Sequence, residues 1–285
     1  MNSETIHIVP QIKYISQQFD AEKIHQYQLF AEISDNYFHF WVVEHTSKSL
    51  LALESFVLPV QLSFSSPTDN LSQIFSQHDF LKSLKWKSVK ITIDNHSFTL
   101  LPVALFRKEY TNKYLQLAKG QFIGDDEEVR QRLHPSLEML NIYSCERKLY
   151  NWLAETYPLV DLEYEHLSSE LIEFALRSSK SQSAFIYVGS GAFTLVITLN
   201  GTLKFCNRFV YATPEDLAYY VLFVMSELGI EPDEIFLRLY GNIEKDAEEY
   251  KVLTQYLPKV KIGDTSTDML FDNKIALHHY LGLSI

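Results

Sequence analysis

The chain has 285 residues, 46% of them apolar and 14% aromatic, with a net charge of −11 at pH 7. That apolar content fills one large core or two medium ones and excludes extended disorder, while an acidic chain without a basic block is a poor direct ligand for nucleic acid. Two cysteines, Cys145 and Cys206, exclude a disulfide framework, and the longest apolar run, residues 217–225, is too short to cross a bilayer. The N-terminus is polar and lacks a signal pattern. The expectation is a soluble cytoplasmic protein with no membrane span.

Residues 1–27 read as an N-terminal arm, extended or forming a first strand, ahead of a first domain over 28–180. There, residues 29–34 read as a strand, Asp35-Asn36 as a turn and 37–45 as a second strand; a polar break at 46–49 precedes strand 50–58. A serine-rich loop carrying Pro67 follows, and Asp69 is expected to cap a helix reaching Leu84. Val89, Ile91 and Ile93 alternate along strand 88–94, a turn at Asn95-His96 leads to strand 98–101, and Pro102 is expected to open a helix to Lys119. Residues 120–135, with two glycines, Pro135 and the acidic run 125–128, read as a mobile loop. Strand 137–144, helix 146–157, strand 160–166 and helix 168–178 follow, and the serine-rich segment 178–183 reads as a linker.

The second domain, 181–265, opens with strand 184–188, the turn Gly189-Ser190-Gly191 and strand 193–199. Asn200-Gly201 then signals a hairpin into strand 202–211, because both central positions of a type I′ turn take φ > 0. Thr213 reads as the N-cap of a helix, with Pro214 at its first position, Glu215 and Asp216 in its first turn, and Gly229 at its end. Strand 235–240, a helix over 244–257 stopped by Pro258, and strand 260–263 complete the domain. In the tail, 266–285, residues 274–281 read as a helix returning to the first domain.

One order recurs in both halves: three strands in two tight hairpins, a capped helix, then strand and helix in alternation. Aligning the first turns puts Ile33 on Val188, Ser34 on Gly189, Asp35 on Ser190, Asn36 on Gly191 and Phe38 on Phe193. Antiparallel hairpins feeding a β-α-β run make a mixed sheet with helices on both faces, and two such units in tandem leave a cleft. The segments FIYVGSGAFTLVITLNGTLKFCNRFVYATPEDLAYYVLF (185–223) and LRLYGNIEKDAEEYKVLTQYLPKVKI (237–262) resemble the actin-like, or duplicated ribonuclease-H-like, superfamily. That superfamily includes actin, Hsp70, sugar kinases and bacterial pilus-assembly and division proteins; more narrowly, the chain resembles a bacterial family of unknown function with an actin-like ATPase fold. The resemblance spans about residues 25–265 and implies an α/β protein of two tandem ribonuclease-H-like lobes.

ATP-using members of that superfamily place an Asp-x-Gly turn after the first strand of each half. The acid orients Mg²⁺ or water, the glycine lets backbone N–H groups approach phosphate, and a later Gly-Gly pair cradles the adenosine. Here the first turn runs Glu32-Ile33-Ser34-Asp35-Asn36, with the longer acid and no glycine. The second runs Tyr187-Val188-Gly189-Ser190-Gly191, with tyrosine at the carboxylate position, and a single glycine, Gly241, precedes Asn242. Magnesium requires hard oxygen ligands, for which a phenol is a poor substitute. Glu32, Asp35, Gly189, Ser190, Gly191, Gly241 and Asn242 are therefore degenerate nucleotide-loop positions, and no catalytic residue, metal ligand or cofactor is expected. Each also has a plain structural reading as a turn acid, a solvated strand residue, a hairpin glycine or a helix-entry loop.

The resulting expectation is a non-catalytic actin-like protein that acts as an interaction or assembly module, with its protein partner and any self-association left open. The alternative is a conformational switch or weak ATPase taking ATP and Mg²⁺ at those positions. Other constellations read as structure. His278-His279 on a helix would diverge by about 100° and not chelate one metal. Ser144-Cys145-Glu146-Arg147 sits at a strand-to-helix junction, where nucleophiles occur, but without a spaced histidine it reads as a buried thiol. Asp161, Glu163 and Glu165 read as one polar sheet face, and Trp41 and Trp86 as core, Trp86 being the more exposed beside Lys85 and Lys87.

Overall fold

The computed structural model describes residues 8–59, 67–178, 182–263 and 276–284. The chain divides into two units, one running to Leu167 and one starting at Ser168 and including residues 276–284.

In the first unit a short strand β1 (Ile12–Ile15) precedes β2 (Tyr27–Ser34), β3 (Tyr37–Glu44) and β4 (Leu50–Val57). Helix α1 (Pro67–Gln77), β5 (Ser88–Asp94), β6 (Phe98–Pro102), α2 (Thr111–Lys119), β7 (Glu127–His134) and β8 (Met139–Glu146) follow. Helix α3 (Arg147–Thr156) and β9 (Leu162–His166) complete it. The main sheet has the order β1-β4-β3-β2-β5-β9, antiparallel across β4-β3-β2 and parallel across β2-β5-β9. Strands β6, β8 and β7 form a separate antiparallel sheet with its own small core of Leu115, Ile123, Leu140 and Ile142.

The second unit comprises α4 (Leu167–Ser178) from Ser168 on, β10 (Ser183–Val188), β11 (Ala192–Leu199), β12 (Thr202–Val210), α5 (Pro214–Glu227), β13 (Phe236–Gly241), α6 (Glu248–Tyr256) and β14 (Val260–Ile262). Its sheet runs β12-β11-β10-β13-β14, with the same alternation of antiparallel and parallel neighbours. The repetition extends to register. Ile33 pairs with Phe38 and Val188 with Phe193, as the sequence alignment requires. The β3–β4 register shifts after Val42 and the β11–β12 register after Ile197, at the same distance past those phenylalanines. Across the next strand Phe38 faces Phe56 and Phe193 faces Phe209, both stacked, at ring separations of 5.8 and 5.3 Å.

Alternation explains the two cores. Leu29, Ala31, Ile33, Phe38 and Phe40 join Leu71 and Phe75 of α1 and Leu149 and Leu153 of α3. Ala184, Ile186, Val188, Phe193 and Leu195 join Leu217 and Val221 of α5 and Leu253 of α6. Helix α4 groups with the second unit because Phe174 packs edge-on against Phe185 and Tyr240. Asn200 and Gly201 both take positive φ in the β11–β12 turn, and Thr213 and Asp216 form a reciprocal capping box at α5.

Several expectations are corrected. Helix α1 starts at Pro67, so Asp69 lies inside it, and it stops at Gln77 because Phe80 and Leu81 leave the helix to join the core. Pro102 closes β6; short 3₁₀ turns follow at Val103–Leu105 and Lys108–Tyr110, and α2 begins only at Thr111. Tyr114 holds that irregular stretch, its hydroxyl donating to Leu105 O at 2.8 Å and accepting from Arg107 N at 3.0 Å. Residues 127–134 are a strand rather than a loop: β7 pairs along all of β8, and Arg147 binds Asp125 O, Glu127 O and the Glu128 carboxylate. Trp86 is buried beside Phe80, in keeping with its reading as core. Residues 277–279 and 281–284 form 3₁₀ turns in place of a helix and group with the second unit, while 274 and 275 lie outside the described residues, as do 179–181 of the expected linker. Among the described residues no helix is long and apolar enough to cross a membrane.

Replacing Thr213 by alanine removes the acceptor for Asp216 N and is expected to cost about 1 kcal/mol, lowering the melting temperature by about 2–4 °C. Thermal unfolding followed by circular dichroism measures it.

Candidate functional site

In an open sheet with mixed connections, ligands gather beyond the carboxyl ends of the parallel strands, where the topology switches direction. In the first unit that place is the exit of β2 and β5. Ser34 pairs with Asp94 there, so Glu32 and Asp94 approach the same end of the sheet. Glu32, expected as a solvated strand residue, is instead fully buried, and Asp94 nearly so. The Tyr37 hydroxyl, from the adjoining β3, lies 2.7 Å from both Glu32 Oε1 and Asp94 Oδ2. One phenolic hydrogen thus serves two buried carboxyl groups, and the Tyr37 ring stacks on His39.

Asp35 is not part of this cluster. It is exposed in the β2–β3 turn, so Glu32 and Asp35 are not brought together as a metal pair. Asp35 borders two neighbouring hollows. One, about 70 Å³, is lined by Ser34, Asp94, Asn95 and Cys145; the other, about 260 Å³, by Ser97, Lys119, Glu127 and Ser144. Four polar side chains of the larger hollow pair with one another. Lys119 Nζ contacts both Glu127 oxygens at 3.1 and 3.2 Å, and the Ser144 hydroxyl contacts Glu127 and the Ser97 hydroxyl. Ser144 is fully buried, and burial pushes the Cys145 thiol up to about 12, so this strand-to-helix junction presents no thiolate at neutral pH. Asp161 and Glu163 are exposed, whereas Glu165 is buried against Arg132 at 3.4 Å, so the three acids do not share one solvated face.

In the second unit, Val188 pairs with Gly241, which places Gly189, Ser190 and Gly191 beside Gly241 and Asn242. Tyr187 stands at the position equivalent to Glu32, is buried, and donates its hydroxyl to His279 O at 3.2 Å. The backbone N–H of Gly189 bonds Ala192 O at 2.8 Å, and that of Asn242 bonds Val188 O at 2.7 Å. Gly241 has φ +80°, and a Cβ there would lie 2.2 Å from Val188 O, so close backbone approach accounts for this glycine. Gly191, at φ +69°, faces open space.

Sequence reasoning missed Tyr37 and Asp94. Asp94 ends a strand of alternating Val89, Ile91 and Ile93, and the register places it where Asn242 stands in the second unit. The signal was a lone acid at a strand end; the pairing that makes it a partner of Glu32 is long-range.

Tyr37→Phe strips the hydroxyl from two buried carboxyl groups and is expected to destabilise the protein by about 1–3 kcal/mol, measured by urea titration at pH 7. Cys145 is expected to resist iodoacetamide in the native protein at pH 8 and to react fully in urea, with peptide mass spectrometry locating the label.

A crystal structure from Bacteroides thetaiotaomicron VPI-5482, of a protein with actin-like ATPase fold and unknown function, superposes with a TM-score of 0.79 at 23% identity, covering 94% of this chain and 99% of that one. A chain of the PilM–PilN type IV pilus biogenesis complex superposes at 0.60 with 11% identity, covering 90% of this chain and 97% of that one. No curated protein matches the sequence. The fold is therefore the actin-like ATPase fold, with two ribonuclease-H-like sheets in tandem. Residues 16–260 match DUF3822, a family described as protein of unknown function, and the chain belongs to that family.

Proposed function

We propose that this protein is a non-catalytic actin-like module of the bacterial cytoplasm that works through protein interaction or assembly. The observation that carries the reading is that two backbone donors at this end of the second sheet, those of Gly189 and Asn242, are spent within it. A phosphate-accepting loop directs its N–H groups outward, whereas those of Gly189 and Asn242 bond to carbonyls within the sheet. The two positions that hold acids in ATP-using relatives are also committed: Glu32 to Tyr37, and Tyr187 to His279. The fold shared with a chain of a pilus biogenesis complex is compatible with an assembly role.

A second reading, an ATP-binding switch or weak ATPase, draws on the open space beside Gly191 and the 260 Å³ hollow bordered by Asp35. Thermal unfolding with and without millimolar Mg-ATP separates the two. The interaction module is expected to melt at the same temperature in both. Saturation at a hundred times Kd adds about 2.7 kcal/mol, a rise of about 5–10 °C for a chain of this size. Such a rise, abolished by Ser190→Glu at the exposed turn, would establish the switch instead.

A further inference from the structure

The exit of β13 and the 3₁₀ turn Leu277–His279 bring Glu244, His278 and His279 together, one ligand atom of each lying within 4.8 Å of the other two. On an α-helix neighbouring histidines diverge, but in this tighter turn the two rings meet edge-on with centroids 4.4 Å apart. Both are held from outside the cluster. His278 Nε2 lies 2.7 Å from Ile243 O and 3.9 Å from Glu244 Oε1; donating to the carbonyl, it leaves Nδ1 as the lone-pair nitrogen, which a modest turn of the ring would have to bring to the metal. A ligating histidine commonly gives its other ring N–H to a carbonyl in this way, which fixes its tautomer and ring plane. The main chain of His279 is fixed by the Tyr187 hydroxyl, and the next two residues, Tyr280 and Leu281, are buried.

The contact between His279 and Glu244 is informative. His279 Nε2 is buried and lies 3.1 Å from Glu244 Oε1, yet it makes no hydrogen bond of adequate alignment among the described residues. Two donor atoms at that separation fit one edge of a tetrahedron, since ligands at about 2.0–2.1 Å from zinc stand roughly 3.3 Å apart. We propose that Glu244, His278 and His279 bind a divalent transition cation of the zinc class, clasping residues 276–284 to the end of β13. Two imidazoles and one carboxylate suit such an ion, whereas Mg²⁺ and Ca²⁺ take all-oxygen shells. The Glu244 side chain is about half exposed, at 55%, so the remaining coordination position opens to water or to a side chain from another protein.

The test is titration of the untagged, EDTA-stripped full chain with zinc chloride, followed by calorimetry and thermal unfolding. One zinc per chain is expected, with a rise in melting temperature of about 5–10 °C at a free concentration one hundred times Kd, and no response to magnesium chloride. His279→Ala and Glu244→Gln should each weaken binding at least tenfold, while His45→Gln in the first unit leaves it unchanged. Because Glu244 is solvent-accessible, Glu244→Gln should keep the metal-free melting temperature, which separates a lost ligand from a lost fold. Absence of zinc binding, or binding undiminished in either ligand variant, overturns the proposal and leaves an ordinary histidine–carboxylate ion pair.

Discussion

Each of the two larger sheets is organised by a central strand that pairs antiparallel on one side and parallel on the other: β2 between β3 and β5, and β10 between β11 and β13. A strand in that position has both rows of backbone groups satisfied and both faces covered, and every residue of β10 is buried. Slipping the register by one residue would turn each side chain to the opposite face, so the register is held strongly. The stacked pairs Phe38–Phe56 and Phe193–Phe209, and the register shifts that follow Val42 and Ile197, fix it identically in the two units. The equivalence of Glu32 with Tyr187, and of Asp94 with Asn242, is therefore a consequence of hydrogen-bonded geometry rather than of sequence likeness.

Those equivalent positions are closed by different chemistry. In the first unit two acids persist, and a hydroxyl contributed by the neighbouring strand bridges them. In the second the hydroxyl has moved onto the central strand itself, as Tyr187, and reaches a main-chain carbonyl, while alanine occupies the place of Tyr37. A buried carboxyl group is costly unless it is hydrogen-bonded, which explains why Glu32 and Asp94 keep a shared partner. What distinguishes this arrangement from an open metal-binding end of a sheet is the commitment of the polar atoms, not their removal.

Local patterns were legible in the sequence and long-range pairings were not. The Asn200-Gly201 turn, the Thr213 cap and the alternation that aligns Ile33 with Val188 each depend on a few neighbouring residues, and each is present. The partnership of Glu32 with Asp94 depends on a parallel pairing between strands separated by a helix, which no local pattern encodes. Strand β7 was hidden because its charged residues, Glu127, Glu128, Arg130 and Arg132, interrupt the apolar alternation expected of a strand; it is held by pairing with β8 and by Arg147. Pro102 was misread for a related reason, since proline closes an edge position of a strand as readily as it opens a helix. His278 and His279 were separated only by assuming an α-helical rotation that the tighter turn does not have.

Glycine is the most ambiguous of these signals. A phosphate loop and a crowded strand exit both demand a residue without Cβ that tolerates positive φ, so the same letter serves either purpose. Gly241 and Gly191, both at this end of the second sheet, divide on that point. Gly241 is required by Val188, whose carbonyl would overlap any added Cβ and which accepts the N–H of Asn242; substitution there would strain the strand exit whether or not a nucleotide ever bound. Gly191 has open space around it and is required by its φ alone. Retained glycine at Gly241 is thus explained by the sheet, and the discriminating feature at this site is the direction of the neighbouring N–H groups. Those of Gly189 and Asn242 point into the sheet, so a glycine-bearing strand exit can survive as a structural joint with these two donors already spent.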